Sequence, residues 1–419
     1  MGLRAPAVLA SSAVVAFLAC GGDGTGGGSP ASTGDDGGAP PGTEGGTPPG
    51  TEGGVTPGAD GSTSRPDGGG ASTAAGLAMK LRGKTNFMIG MGNDLAQNHA
   101  MDGAYTLGVT MDLHYTYLVG LQGQGGWPDW NAGGSFVNIL TDSADAKGTT
   151  PMFTLYAMAA NGDGNIAVVT DDDYMRAYWA GAKLMFQRLG IFNKPAVVHL
   201  EPDFWGYAIQ KSKDGTSPVH IAALMPDCAG VTEDFRGMGK CLIKLARQYA
   251  PKAAIGFHVS EWGADATTSI AYFKAIGAAE TDFIATDMLD RDAGCFEAHT
   301  DPSCQRSGTG LYWDESNQRS PNFHEHFAWV KQITTGLSLP MMWWQVPFGV
   351  PSATPGGTAG HYRDNRVHYM FAHVDELVAA GGVGAAFGTG AGNQTYITTD
   401  GDQFKTAVGK YFTSPYPLP

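Results

Sequence analysis

The sequence predicts an α/β protein, a (β/α)8 (TIM-like) barrel of regular or distorted form preceded by a disordered Gly-rich tether. Short apolar runs alternate with longer stretches of helical periodicity, the pattern of repeated βα units around a mostly parallel sheet. About eight such runs fall within roughly 340 of the 419 residues, a length that suits one barrel with long loops. A doubly wound sheet is the alternative, but Gly90-Met91-Gly92-Asn93-Asp94 only superficially resembles a phosphate-binding loop.

The strands are predicted where mostly apolar residues run together over a short length. These segments are residues 86–90, 106–113, 151–156, 196–200, 254–259, 282–287, 340–345 and 382–387. Helices are predicted between them, for example at residues 172–189 and 237–249. The first of these two begins at Asp171-Asp172-Asp173, whose negative charges suit a helix N-terminus.

Residues 1–20 are predicted to form a secretory signal peptide. Arg4 precedes an apolar run that is too short to span a membrane, and the segment ends in Ala19-Cys20. That end resembles the lipobox of bacterial lipoproteins, which implies that Cys20 carries a lipid. Ordinary signal cleavage without a lipid is the alternative.

Residues 21–78 are predicted to be a disordered Gly/Pro/Thr-rich linker. Glycine accounts for 20 of the 50 residues from 21 to 70, so this segment cannot bury a core. Residues 79–419 are then expected to form one barrel domain. We expect the protein to be secreted and held as a monomer on a bacterial cell surface, anchored at the outer membrane only through the lipid.

Charge and cysteine content limit the class of partner. The net charge of −14 argues against nucleic acid and is compatible with a neutral or basic polymer. In an exported chain, close cysteine pairs predict two local disulfides, Cys228 with Cys241 and Cys295 with Cys304. We expect no cofactor and no metal, since His324-Glu325-His326 lacks the spacing of a helical zinc motif.

Two carboxylates follow the fourth predicted strand. In an extended segment, His199, Glu201 and Asp203 should project to the same side, which would place the two acids in one small space. Because the carboxyl ends of barrel strands carry the active sites of this fold, that pair suits general acid/base chemistry. Further candidate catalytic acids follow later strands; they are Glu261, Asp287 and Asp290. Any one of these acids can equally be a helix cap or an ion-pair partner.

Aromatic residues recur near the same strand ends. Flat rings in a cleft can stack on sugars while leaving sugar hydroxyls free to form hydrogen bonds. We therefore predict a set of substrate-binding residues: Trp205, Tyr207, Trp262, Trp343, Trp344, Gln345, Asp112 and Trp127. Several of these rings can instead belong to the core. Gln345 is included because the seventh strand would deliver it to the rim, and Asp112 because it falls late in the second predicted strand.

The segment from residue 151 to 287 resembles the catalytic domain of glycoside hydrolase family 6, which consists of inverting cellulases with a distorted barrel. The resemblance is carried by Asn161-Gly162-Asp163, Tyr174, Tyr178, Leu200-Glu201-Pro202-Asp203, Cys228 and Ile284-Ala285-Thr286-Asp287. It implies that Asp203 is the general acid. The second Asp of that family has no match in Tyr156-Ala157-Met158-Ala159-Ala160, and Trp344-Gln345-Val346-Pro347-Phe348-Gly349 stands in place of the family's late motif.

The leading functional hypothesis is an extracellular, surface-tethered glycoside hydrolase that cleaves a polysaccharide or oligosaccharide. Asp203 would protonate the glycosidic oxygen, while Glu201, Glu261, Asp287 or Asp290 activates water or tunes the acid. Inversion is expected because the seventh strand ends in Gln345 rather than in a nucleophilic Glu. The competing hypothesis is a polysaccharide-binding lipoprotein on a barrel without catalytic activity.

Overall fold

Eight parallel strands close a barrel in sequential order, with β1 paired to both β2 and β8. This computed structural model describes residues 73–92, 105, 107–289, 291–299, 304, 312–351, 360–389 and 394–419. The strands are β1 Met88–Gly92, β2 Leu113–Val119, β3 Thr150–Tyr156, β4 Ala196–Leu200, β5 Ala253–His258, β6 Phe283–Thr286, β7 Met341–Val346 and β8 Gly382–Phe387. The prediction of a (β/α)8 barrel is confirmed.

Helices connect the strands and cover the outside of the barrel. In chain order they are α1 Ala74–Arg82, α2 Trp127–Trp130, α3 Phe136–Ala146, α4 Asp172–Phe192, α5 Phe204–Lys211, α6 Phe235–Tyr249, α7 Ala266–Ala275, α8 Ala293–Ala298, α9 Phe323–Leu337, α10 Arg366–Ala372, α11 Val374–Ala379 and α12 Gln403–Tyr411. Asp171 caps α4, because its carboxylate accepts hydrogen bonds from the backbone N–H groups of Asp173 and Tyr174. Within the described part of the chain, no helix is long and apolar enough to cross a membrane.

The second strand was predicted at the wrong place. The prediction put it at residues 106–113, whereas β2 runs from Leu113 to Val119. The inward side chains of β2 include Tyr115 and Tyr117, which fill the barrel with aromatic rings instead of aliphatic groups. Apolar character alone is therefore a poor guide to this strand.

Asp112 consequently lies before β2, at the amino-terminal face of the barrel and away from the carboxyl ends of the strands. Its Oδ2 accepts a hydrogen bond from the backbone N–H of Ile89 at 3.0 Å, and its Oδ1 pairs with Arg82 Nε at 3.4 Å. Burial raises the pKa of Asp112 despite these two partners. The prediction that Asp112 contacts substrate is wrong, because the residue ties α1 to the first two strands at the opposite face.

The interior of the barrel is wide enough for aromatic rings because glycines make room for them. A Cβ at Gly92 or at Gly388 would overlap the ring of Tyr115. That ring lies 6.2 Å from Trp344, centroid to centroid. A side chain at either glycine position would displace Tyr115 from the barrel interior.

Both predicted cysteine pairs lie at disulfide-bonding distance. Cys228, in the turn before α6, pairs with Cys241 within that helix, and their Cα atoms are 5.3 Å apart. Cys295 in α8 joins Cys304, with a Cα–Cα distance of 5.5 Å. Cys20 and the predicted signal and linker segments up to residue 72 lie outside the described residues. The end of the predicted linker is wrong, because Ala74–Arg82 forms α1 and buries Leu77 and Ala78 against the barrel.

The position of Asp112 predicts a purely structural effect on mutation. Asp112→Ala should lower the free energy of unfolding by about 1–3 kcal/mol, because the Ile89 N–H and the Arg82 guanidinium lose a buried acceptor. Asp145→Ala is the control, since it removes only an exposed pair with Lys194 at 2.7 Å and should cost less than about 1 kcal/mol. Urea denaturation measures both, and equal stabilities for the two variants would contradict this interpretation.

Candidate active site

The carboxyl end of β4 supplies two acids, but the chain turns sharply between them. Both Glu201 and Asp203 have left-handed backbone conformations, with φ of 48° and 64°. The extended alternation on which the prediction relied therefore ends at Leu200. As a result, the two carboxyl groups have different partners, and the expected arrangement in one shared space is wrong.

Glu201 is fully buried beneath the loop that follows β3. Its two carboxyl oxygens accept hydrogen bonds from the backbone N–H groups of Ala157 and Met158, at 3.3 and 3.0 Å. Burial raises the pKa of Glu201 to about 8, even though these bonds favour the ionised form. The described structure gives Glu201 no exposed surface, so it holds the β3 and β4 loops together and does not reach the cleft.

Asp203 is partly exposed and shares a tyrosine with a neighbouring acid. The Tyr156 hydroxyl oxygen lies 2.9 Å from Asp203 Oδ2 and 2.6 Å from Asp163 Oδ1. A hydroxyl group has a single proton to donate, so the second short contact requires a proton on one of the two carboxyl groups. Burial raises the pKa of Asp203, and the nearby charges of Asp287 and Asp163 also raise it, against the effects of His258 and Tyr156.

Asp287 directly follows β6 and shows the opposite electrostatic behaviour. Burial alone would raise its pKa, but the interaction with the neighbouring His258 imidazole outweighs burial and lowers it. The side chain is 21% exposed, and its Oδ1 lies 3.6 Å from His258 Nε2. Asp287 is therefore suited to remain a carboxylate while Asp203 holds a proton.

Two histidines lie beneath these acids in the barrel interior. His199 of β4 and His258 of β5 are almost completely buried, and His199 Nε2 lies 3.0 Å from His258 Nδ1. Thr154 Oγ1 is 3.4 Å from His199 Nδ1. The sequence predicts that His199 faces the same side as the acids, but no sequence pattern pairs it with His258.

Trp344 forms the floor of the candidate site. Its ring centroid lies 4.9 Å from that of His199, 5.8 Å from His258 and 5.6 Å from Tyr117. Because only 4% of Trp344 is exposed, it packs the barrel interior and offers little surface to a substrate. Trp344 therefore lies under the site as part of the barrel interior, and its ring is too buried for the predicted stacking on a sugar.

Three other tryptophans predicted to bind substrate are completely buried elsewhere. Trp205 donates its indole N–H to the Leu200 carbonyl at 3.1 Å and packs inside the helical layer. Trp343 points away from the barrel interior, because neighbouring strand residues alternate and Trp344 takes the inner position. Trp127 lies at the start of α2, outside the barrel. These three predictions are wrong.

Trp343 nevertheless reaches the candidate site through a histidine. Its indole N–H donates to His326 Nε2 at 2.9 Å, and His326 Nδ1 lies 3.1 Å from Glu261 Oε2. Since an indole can only donate, Nε2 must accept, and the ring proton sits on Nδ1 and points at Glu261. The side chain of Glu261 is 50% exposed, so this chain of hydrogen bonds holds an exposed carboxyl group at the rim.

Tyr207 and Trp262 form an aromatic surface at the same end of the barrel. Their ring centroids are 4.8 Å apart, and Trp262 is 43% exposed. A Cβ at Gly206 would collide with the Trp262 ring, so glycine permits this close approach. The substrate-stacking role of these two residues stays a prediction, with which their exposure is compatible.

Gln345 lies at an irregular point of β7. Its backbone is left-handed, with φ of 54°, and the register with β8 shifts between Trp343 and Val346. Only 3% of Gln345 is exposed.

Asp290, a further candidate base, lies outside the described residues. Within the described ranges, no group of three or more His, Cys, Asp or Glu side chains is arranged to hold a metal ion.

Comparisons with known proteins do not assign a family. No protein-family model and no curated protein matches the chain. Among solved structures, it is similar to an endoglucanase from Thermotoga maritima, with 11% identity, a TM-score of 0.47 and coverage of 80% of this chain and 99% of that chain. It is also similar to a GH26 beta-mannanase from Bacteroides ovatus, with 9% identity, a TM-score of 0.43 and coverage of 83% of this chain and 94% of that chain. A third similar structure is a D-psicose 3-epimerase from Clostridium cellulolyticum, with 9% identity, a TM-score of 0.39 and coverage of 78% of this chain and 99% of that chain. At such TM-scores these similarities identify no activity.

The buried carboxyl of Glu201 predicts a specific pH dependence of stability. Because its pKa is about 8 in the folded protein against 4.5 for the free side chain, the folded state binds the extra proton between those values. Glu201 therefore stabilises the fold fully below pH 4.5, and this contribution is lost as the pH rises towards 8, with a slope of up to about 1.4 kcal/mol per pH unit. Glu201→Gln should abolish this component.

Chemical denaturation at several pH values between 5 and 8 measures the difference between wild type and Glu201→Gln. The matched control is Glu325→Gln, which changes an exposed side chain in α9 and should leave the profile parallel to that of wild type. A Glu201→Gln profile that also runs parallel to wild type would contradict the assignment of a buried, protonated Glu201.

Proposed function

We propose that this protein is a glycoside hydrolase that cleaves a polysaccharide by acid/base catalysis, with Asp203 as the general acid and Asp287 as the base. One arrangement carries the proposal: Asp203 shares the Tyr156 hydroxyl with Asp163 and has a raised pKa, whereas Asp287 faces His258 and has a lowered pKa. Two neighbouring carboxyl groups whose environments separate their pKa values are suited to opposite proton-transfer roles.

Asp203 is the better acid of the two. Its contact with the Tyr156 oxygen, which Asp163 shares, favours a proton within this group of side chains. Asp163 is exposed, so the proton can be replaced from solvent. Asp203 donates its proton to the glycosidic oxygen as the bond between that oxygen and the anomeric carbon breaks.

Asp287 completes the reaction by activating water. It removes one proton from a water molecule while the water oxygen forms a bond with the anomeric carbon, and solvent then restores both carboxyl groups to their starting states. Activity should fall as the pH drops through the lowered pKa of Asp287 and fall again as it rises through the raised pKa of Asp203. Glu261, which His326 orients, and Asp290 are alternative bases.

A sugar polymer is the substrate that this end of the barrel suits best. The Tyr207–Trp262 surface offers an apolar face for a sugar ring at the same end of the barrel as Asp203 and Asp287, whose carboxyl oxygens can accept hydrogen bonds from hydroxyl groups. The resemblance of Leu200-Glu201-Pro202-Asp203 to family 6 favours inversion, as does Gln345 in β7. Export and attachment to a bacterial surface through Cys20 remain part of the proposal and rest on residues 1–20 alone.

The second candidate function is polysaccharide binding without catalysis. It is favoured by the segment after β3, Tyr156-Ala157-Met158-Ala159-Ala160, which lacks the second Asp of family 6. Both functions require sugar binding, so turnover of a polysaccharide panel distinguishes them.

The central prediction concerns the general acid. Asp203→Asn should reduce hydrolysis of an unactivated polysaccharide at least about 100-fold, with substrate binding largely kept, because the leaving oxygen loses its proton donor. Asp145→Asn, an equivalent change at an exposed pair in α3, should retain full activity. NMR of the first product anomer should show inverted configuration. A retained configuration would overturn the inverting mechanism, and full activity of Asp203→Asn would overturn the assignment of the acid.

The aromatic surface gives an independent prediction for binding. Trp262→Ala should weaken oligosaccharide binding by roughly 1–3 kcal/mol, because a stacking face is lost without disturbing the core. Tyr416→Ala is the control, since Tyr416 is 38% exposed and its backbone pairs with Phe87, just before β1, at the opposite face. Calorimetric titration of both variants measures the difference. Unchanged affinity in Trp262→Ala would remove the ring from the substrate site.

A further inference from the structure

The histidine pair in the barrel interior has no packing explanation. Polar rings are costly to bury, and an aliphatic side chain would fill the same volume without that cost. His199 and His258 are nevertheless 0% and 1% exposed and in direct contact, with Thr154 at one end of the row and Asp287 at the other. A buried polar row that ends on one proposed catalytic carboxylate suggests a role in its chemistry.

The groups that face His258 come from several elements of the barrel. His199 of β4 contacts its Nδ1, and Asp287 after β6 faces its Nε2. When it is protonated, His258 also lowers the pKa of Asp203, the other acid of the site. Trp344 of β7 covers the ring with an apolar surface. His326 of α9 acts on Asp287 as well, but more weakly than His258 does.

The hydrogen-bonding chemistry of this row orients His258 in one way. If His258 carries two ring protons, Nδ1–H donates to His199 Nε2, and His199 Nδ1–H donates to Thr154. If His258 carries one, an ionised Asp287, which can only accept, keeps that proton on Nε2. The direction then reverses, so that Thr154 donates to His199 and His199 donates to His258 Nδ1. A threonine hydroxyl can serve as donor or acceptor, so both arrangements are satisfied. In each of them, His258 presents Nε2–H to Asp287.

We propose that His258 is a positioning residue that holds Asp287 oriented and ionised, and that His199 fixes the His258 ring in the orientation this requires. The role in hydrolysis rests on the proposed function, whereas the control of Asp287 by His258 does not. Neither histidine contacts the substrate. Their effect reaches the reaction through one carboxylate.

The test measures Asp287 directly, without substrate. In the full chain labelled with carboxyl-¹³C aspartate and assigned with Asp287→Asn, the titration midpoint of Asp287 should move to higher pH in His258→Gln. The variant His199→Gln should shift it in the same direction and covers the case in which His258→Gln fails to fold. His114→Gln is the matched control, because His114 is a buried histidine near the amino end of β2 and should leave the midpoint unchanged.

Kinetics with a hydrolysed polysaccharide provide the second measurement. In His258→Gln, kcat should fall by about tenfold to 100-fold with KM nearly unchanged, the scale expected when a catalytic group is misplaced by about 1 Å. The acid limb of the kcat/KM profile should move to higher pH together with the NMR midpoint. A structural defect alone would lower activity without this coordinated movement.

The outcomes separate the inference from the proposed function. An Asp287 midpoint that stays in place in the folded histidine variants overturns the inference, whatever the activity. A shift that His114→Gln reproduces overturns it as well. A midpoint that moves while the wild type hydrolyses no polysaccharide overturns the proposed function and supports the control of Asp287 by His258.

Discussion

The barrel depends on the requirement that polar groups in its interior find partners within the barrel. His199 and His258 occupy positions that aliphatic residues could fill, and among the described residues they find their partners in each other and in their neighbours at either end. Because the strands supply these partners, the strand register fixes where the acids above them stand. The contacts that pack the two histidines in the barrel interior therefore also set the position of the carboxyl group above them.

Apolar content predicted the fold where the strands are almost entirely apolar, with His199 as the one polar residue of β4. β4 and β8 fall at the expected residues, since every side chain in them is buried. β2 was misplaced because the barrel takes aromatic rings into its interior there, made possible by glycines at positions 92 and 388. The order of the elements could be read from the sequence, while the filling of the interior depends on contacts between distant segments.

The acids of the candidate site could be predicted from strand ends, but their surroundings could not. Left-handed backbone at Glu201 sends that carboxyl into a loop, and no alternation pattern anticipates such a turn. Distance along the chain hides the other essential contact, because His199 and His258 are 59 residues apart. Trp343 and Trp344 were both predicted to bind substrate, but the side chains of neighbouring strand residues alternate, so only Trp344 faces the barrel interior.

The buried indole of Trp343 fixes the tautomer of His326, and through it the hydrogen bond to the exposed carboxyl group of Glu261. Phenylalanine at this position would conserve most of the packing yet release His326 Nε2 from its donor, and the imidazole could then carry its proton on the side away from Glu261. The rim carboxylate would lose its hydrogen-bond donor through a change that keeps the volume of the core. At this position, hydrophobic similarity is an unsafe measure of a conservative substitution.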